Sequence, residues 1–121
     1  MRYPFWVVLV FLPVAAVAQQ WAMRGDDRVL SHAEVVALIE RQTLVFYDDG
    51  ESRFSVGGAY SYTYAGSGTA FGQYEIDPDG MVCIAYRNGF ERCDRYVQNG
   101  ARIVMLTQKG ERFPLRPLTD D

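Results

Sequence analysis

The chain has 121 residues, 49% apolar and 22% charged, with two cysteines, one histidine and a formal charge of −3. That is room for one domain, too apolar for a disordered acidic chain and too poor in cysteine for a dense disulfide scaffold. One histidine excludes any site built on two, and the acidic balance argues against nucleic acid as a partner, because phosphate binding needs a basic surface or stripe.

The first eighteen residues read as an address. Arg2 precedes an uncharged run from Phe5 to Ala18 that ends in Ala16-Val17-Ala18, followed by Gln19. A basic start, a short apolar run and a small-x-small end form the pattern of a secretory signal peptide. The run is shorter than a spanning helix needs and contains Pro13. Cleavage is expected after Ala18, which leaves a periplasmic or secreted chain with no transmembrane segment. Without the leader the balance is 11 basic to 15 acidic residues, and every basic residue except Lys109 is arginine. Arginine pairs bidentately with carboxylates and keeps its charge at any relevant pH.

Residues 19–30 carry no period and read as a flexible lead-in. Their Arg24-Gly25-Asp26 matches an adhesion tripeptide, but three residues recur often by chance, and a polar linker is the simpler reading. One helix follows, over about 32–41. Ser31 and Glu34 make a capping box, Leu30 and Val35 a hydrophobic staple, and Val35, Leu38 and Ile39 the buried stripe. His32, in its first turn, has no second histidine or nearby cysteine and reads as an exposed helix residue.

From Thr43 onward short apolar runs alternate with glycine-bearing turns. Strands are expected at about 43–47, 53–56, 60–65, 69–76, 81–86, 90–98, 102–107 and 111–115. Connections this short join only antiparallel neighbours. The fold class is therefore mainly β: one N-terminal helix and an eight-strand antiparallel meander, closed as a small barrel or strongly bent, spanning 31–118. The helix is expected to cap an open end or cover a face.

Cys83 and Cys93 flank the turn at Asn88-Gly89. A two-residue turn there sets the cysteines one step apart. A three-residue loop, Arg87-Asn88-Gly89, pairs Tyr86 with Phe90 and Cys83 with Cys93 at a non-hydrogen-bonded position, where side chains approach most closely. The second register is preferred, and an oxidised pair fits an exported chain.

Other constellations are weaker. Asp48-Asp49-Gly50-Glu51 and Asp77-Pro78-Asp79-Gly80 are acidic turns without the full alternating loop of a calcium site. Ser52, Ser55, Ser61 and Ser67 have no histidine in the β region, and the carboxylates available for paired acid–base work fall in turns. No enzyme, metal or cofactor is expected. Tyr60, Tyr62 and Tyr64 alternate along one strand and share a face, with Tyr74 and Tyr86 near them and Ser61 and Thr63 on an exposed opposite side. These five tyrosines are either core or an aromatic binding surface.

The runs Gly72-Gln73-Tyr74-Glu75-Ile76, Gly80-Met81-Val82-Cys83, Asn88-Gly89 and Arg92-Cys93-Asp94-Arg95-Tyr96 resemble a group of small secreted bacterial proteins of unknown function. These share a disulfide-stapled V-C, N-G, C hairpin. The resemblance covers residues 43–115 and implies a periplasmic β-rich domain with no known active site. Tyr74 and Tyr86 stand where such domains usually carry tryptophan. The expected function is binding without catalysis, to a protein or envelope component, through an aromatic sheet face; an inhibitor is the sharpest form. The alternatives are a lipocalin-like small-molecule binder and a small hydrolytic enzyme.

Overall fold

The computed structural model describes residues 21–40 and 42–118. The expected signal peptide and the helix's last expected residue, Arg41, lie outside them. In chain order the elements are β1 (Arg28–Val29), α1 (His32–Glu40), β2 (Leu44–Val45), β3 (Glu51–Phe54), β4 (Ala59–Thr63), β5 (Thr69–Ile76), β6 (Val82–Tyr86), β7 (Glu91–Asn99), β8 (Arg102–Thr107) and β9 (Arg112–Pro114).

Strands β2 to β9 pair in sequence order, every pair antiparallel, in a curled half-barrel sheet. Its two edges touch at one bridge, Phe46 to Leu115. The Arg116 amide also donates to the Val45 carbonyl at 2.8 Å.

Register assigns the faces, because side chains alternate along a strand. Ser52, Phe54, Tyr60, Tyr62, Tyr74, Val82, Ile84, Tyr86, Arg92, Asp94, Tyr96 and Met105 all fall on the concave side. Most of the apolar ones are buried there together with Leu44, Phe46 and Leu115.

Helix α1 starts as its residues dictate. The Glu34 amide donates to Ser31 Oγ at 3.2 Å and the Ser31 amide to Glu34 Oε1 at 3.1 Å, which completes the capping box. Val35, Leu38 and Ile39 enter the core. The helix closes one end of the half-barrel. His32, exposed, donates from Nδ1 to the Asp77 carbonyl in the β5–β6 turn at 2.8 Å. At the other end of the helix, Glu40 Oε1 accepts from the Tyr74 hydroxyl, which also reaches the Ser55 carbonyl in the β3–β4 turn. Gly80 is required here twice over: its φ is +87°, and a Cβ would lie 2.8 Å from the Leu30 carbonyl oxygen.

The stretch read as an unpatterned lead-in is structured from Trp21 onward. Arg28 and Val29 pair with Gln98 and Val97, so β1 adds to β7 beyond the point where β6 ends. Trp21 packs on Val97, Val104 and Leu106 on the convex face. Arg112 grips Asp27 with Nη1 and Nη2 at 2.6 and 3.0 Å. Polar composition hid this segment: its contacts are long-range, and local periodicity does not record them.

Candidate functional site

The hairpin that holds the site is the one the cysteines fix. Cys83 faces Cys93 and the disulfide forms with a Cα separation of 4.0 Å. The loop is the three-residue form. The Tyr86 amide donates to Phe90 O at 2.8 Å, the Gly89 amide to Tyr86 O at 2.9 Å, and Gly89 has φ +89°. The disulfide lies on the convex side, and alternation then sends Arg92 and Asp94 inward.

In a meander successive turns alternate between two ends. The helix closes the end formed by the β3–β4 and β5–β6 turns. The other end carries the β2–β3, β4–β5, β6–β7 and β8–β9 turns, and aromatic side chains rim it. Tyr47, Tyr64, Phe90 and Phe113 are 53%, 54%, 57% and 38% exposed. Tyr62 stacks edge-on with Tyr64 at 4.8 Å between ring centroids, and Tyr86 lies 5.8 Å from Phe90. Below the rim is a cavity of about 110 Å³ lined by Phe46, Asp48, Tyr62, Arg92, Met105 and Phe113.

Beneath it sits a polar cluster inside an otherwise apolar core. The Arg92 guanidinium lies 5.9 Å from the Tyr86 ring centre and donates from Nη2 to the Tyr60 hydroxyl at 3.3 Å. The Tyr60 hydroxyl also shares a hydrogen bond with Ser52 Oγ at 3.0 Å. Arg92 Nε stands 3.2 Å from Asp94 Oδ2, and Asp94 is 1% exposed. Neither Asp94 oxygen nor Arg92 Nε has a well-aligned hydrogen-bond partner among the described residues. Burial pushes the Asp94 carboxyl up to about 6, against the opposing pull of Arg92. Burial likewise raises the Tyr60, Tyr86 and Tyr96 hydroxyls, so all three stay neutral.

The five tyrosines therefore divide. Tyr60 and Tyr74 are buried core residues. Tyr62 and Tyr86 are half-buried below the rim, and Tyr64 stands on it. Tyr74 belongs to the opposite, helix-closed end. Ser61 and Thr63, expected on an exposed side, are half-buried.

Tyr60, Gly72 and Tyr86 are cross-strand neighbours on β4, β5 and β6, and the two tyrosine rings meet over the glycine at 5.8 Å. A Cβ on Gly72 would lie 2.4 Å from the Ala85 carbonyl oxygen.

The expectation that carboxylates fall only in turns is corrected by Asp94, which is in strand β7 and buried. The signal was present. Once Cys93 is placed outward, Arg92 and Asp94 must face in.

Among the described residues no group of three or more His, Cys, Asp or Glu gathers to hold a metal ion. No helix among them is long and apolar enough to cross a membrane. The disulfide fits an oxidising, secreted or periplasmic setting. Comparison with family models, curated proteins and solved structures gives no match.

Proposed function

We propose that the protein is an exported, periplasmic or secreted binding module without catalytic activity, which grips a protein or envelope component through the aromatic end of its half-barrel. An inhibitor is the sharpest form of this reading. The observation that carries it is the rim. Four large apolar side chains stand in solvent at one end, around half-buried tyrosines. Exposed aromatic groups concentrated in one patch mark association surfaces. The signal-like pattern of residues 1–18, a basic start, an apolar run and a small-x-small end, supports export, and the disulfide fits the same compartment.

A lipocalin-like reading has less support. Tyr60, Tyr96, Ile84 and Leu44 fill the interior, and the cavity inside the mouth, about 110 Å³, is below the 300–1,000 Å³ of ordinary ligand pockets. The larger depression, about 840 Å³, is lined largely by convex-face residues such as Gln73, Glu75, Cys83 and Cys93 together with His32 and Glu40 of the helix, so it is not the hollow interior that a lipocalin needs.

The test is affinity capture from an envelope extract with oxidised wild-type protein and a Tyr64→Ser/Phe90→Ser double variant as baits. Both positions are exposed, so the variant should keep its fold, checked by circular dichroism. The expected result is a discrete species retained by wild type and lost by the variant. Nothing retained at micromolar bait, or equal retention by both baits, sinks the proposal.

A further inference from the structure

We infer that the cavity at the aromatic end is a socket for a flat apolar group tipped with a carboxylate, held by Arg92 in exchange for its contact with Asp94. This rests on the binding reading above and gives that surface a ligand chemistry.

Shape comes first. About 110 Å³ is smaller than the engineered, closed cavity of roughly 150 Å³ that takes benzene, but this cavity opens at the rim, so one ring can enter with its far edge outside. Phe46, Tyr62, Met105 and Phe113 supply apolar contact. Phe113 is partly exposed and Asp48 is exposed, so the cavity is reached from the rim.

Polarity decides which end of the ligand goes in first. Arg92 makes one side-chain hydrogen bond among the described residues, to Tyr60, and its Nε is buried without an aligned acceptor. That buried Nε faces Asp94, while the side chain is 28% exposed, so it is the Nη end of the guanidinium that opens to the cavity. Its Nη1 carries no side-chain hydrogen bond among the described residues, and a guanidinium presents a fork that fits a carboxylate. Asp48, the other charged group in the lining, opposes an incoming carboxylate, but it is exposed, so solvent screens that repulsion. The deepest demand in the socket is therefore for an acceptor.

Asp94 couples the site to protons. The charged and titratable groups around it are Arg92 and Tyr96 on β7, Tyr60 on β4, Tyr86 on β6 and Tyr62 on β4, with Asp48 in the β2–β3 turn across the cavity. The tyrosines stay neutral. An anion that takes Arg92 leaves Asp94 as a buried carboxylate without its cation. Asp94 then takes up a proton, because burial already disfavours its charge. By linkage the anion must bind more tightly as pH falls through the range where Asp94 protonates.

The probe is benzoate, with benzamide as its neutral twin, titrated into the oxidised protein and followed by the Met105 methyl resonance. Benzoate should shift that resonance. Its affinity should rise at least about fivefold between about pH 8 and pH 5.5, a window in which benzoate itself stays ionised. Benzamide should bind more weakly at pH 5.5 and show no pH dependence. Asp94→Asn should bind benzoate at high pH as tightly as wild type does at low pH. Arg92→Gln should lose the preference for benzoate over benzamide, and both variants are checked for folding by circular dichroism.

No Met105 shift, a pH-independent benzoate affinity in wild type, or equal binding of the two probes overturns the inference. Competition distinguishes the sources. Benzoate that displaces the captured envelope species places the acid on that partner; benzoate that binds without displacing it places the acid on a free small molecule. A partner lost by the Tyr64→Ser/Phe90→Ser variant while benzoate fails to bind leaves the docking surface standing and removes the socket alone.

Discussion

At the scale of single residues, the buried Asp94 and its half-buried partner Arg92 dominate. Asp94 has a folded-state pKa of about 6, raised above its unfolded value of 3.8 by burial. Between those values the folded state holds a proton that the unfolded state has released, so this group makes stability fall as pH rises from about 4 to 6. The shift corresponds to about 2–3 kcal/mol.

Glu34 runs the other way. Arg28 and the Ser31 amide hold its carboxyl down at about 2, so its contribution is present above its unfolded pKa and lost on acidification. Asp27 is held lower still by Arg112 and behaves in the same sense. Stability should therefore peak at about pH 4–5. Denaturant titrations across pH should show wild type more stable at pH 5 than at pH 8, and Asp94→Asn should flatten that difference. Gly72 is the second decisive residue. Gly72→Ala drives a Cβ into the Ala85 carbonyl and parts the Tyr60–Tyr86 contact. It should cost about 2 kcal/mol or more in the same measurement.

At the scale of elements, two devices hold the sheet. The disulfide closes a short hairpin on the convex face, away from the core. Its removal in Cys83→Ala/Cys93→Ala should lower stability by about 2–3 kcal/mol without changing the far-ultraviolet spectrum. The other device is β1. The Leu30 amide donates to the Tyr96 carbonyl at 3.0 Å, and the segment is anchored by Asp27 on Arg112 and on Asn99. Asp27→Ala should speed hydrogen exchange at Leu30 by about tenfold or more while leaving the β5–β6 amides unchanged. The sequence did hold a sign of this element. Ile103-Val104-Met105-Leu106 is apolar at four successive positions, which marks a strand covered on both faces. Residues 21–27 supply part of the second cover.

At the scale of the whole molecule, curvature makes the site. The edge strands meet at Phe46 and Leu115, and Arg116 holds the seam through Asp49 at 2.7 Å and the Phe46 carbonyl at 3.2 Å. The ion pair is exposed, so Arg116→Ala should matter little. Leu115 is 4% exposed. Leu115→Ala should cost about 3 kcal/mol by calorimetry or denaturation, and should weaken the mouth by loosening the wall beside Phe46. One end is closed by α1 and the other left open, so Tyr47, Tyr64, Phe90 and Phe113 stand at the open end, while Phe71 is exposed on the convex face under Arg87.

Much of this was legible along the chain. The strand order, the antiparallel pairing, the helix with its capping box and the Cys83–Cys93 register all rest on turn chemistry and on neighbours a few residues apart. Such features are local, and the residues at those positions dictate them. The core role of Tyr60 and Tyr74, the rim position of Tyr64 and the inward pair Arg92 and Asp94 depend on which face becomes concave. The cover supplied by Trp21 and Asp27 depends on where the chain's start returns after some eighty residues. Only the tertiary structure decided these, because face, closure and burial arise when distant strands meet; the outward Cys93 and the apolar run from Ile103 to Leu106 narrow the outcome but do not say which segments meet.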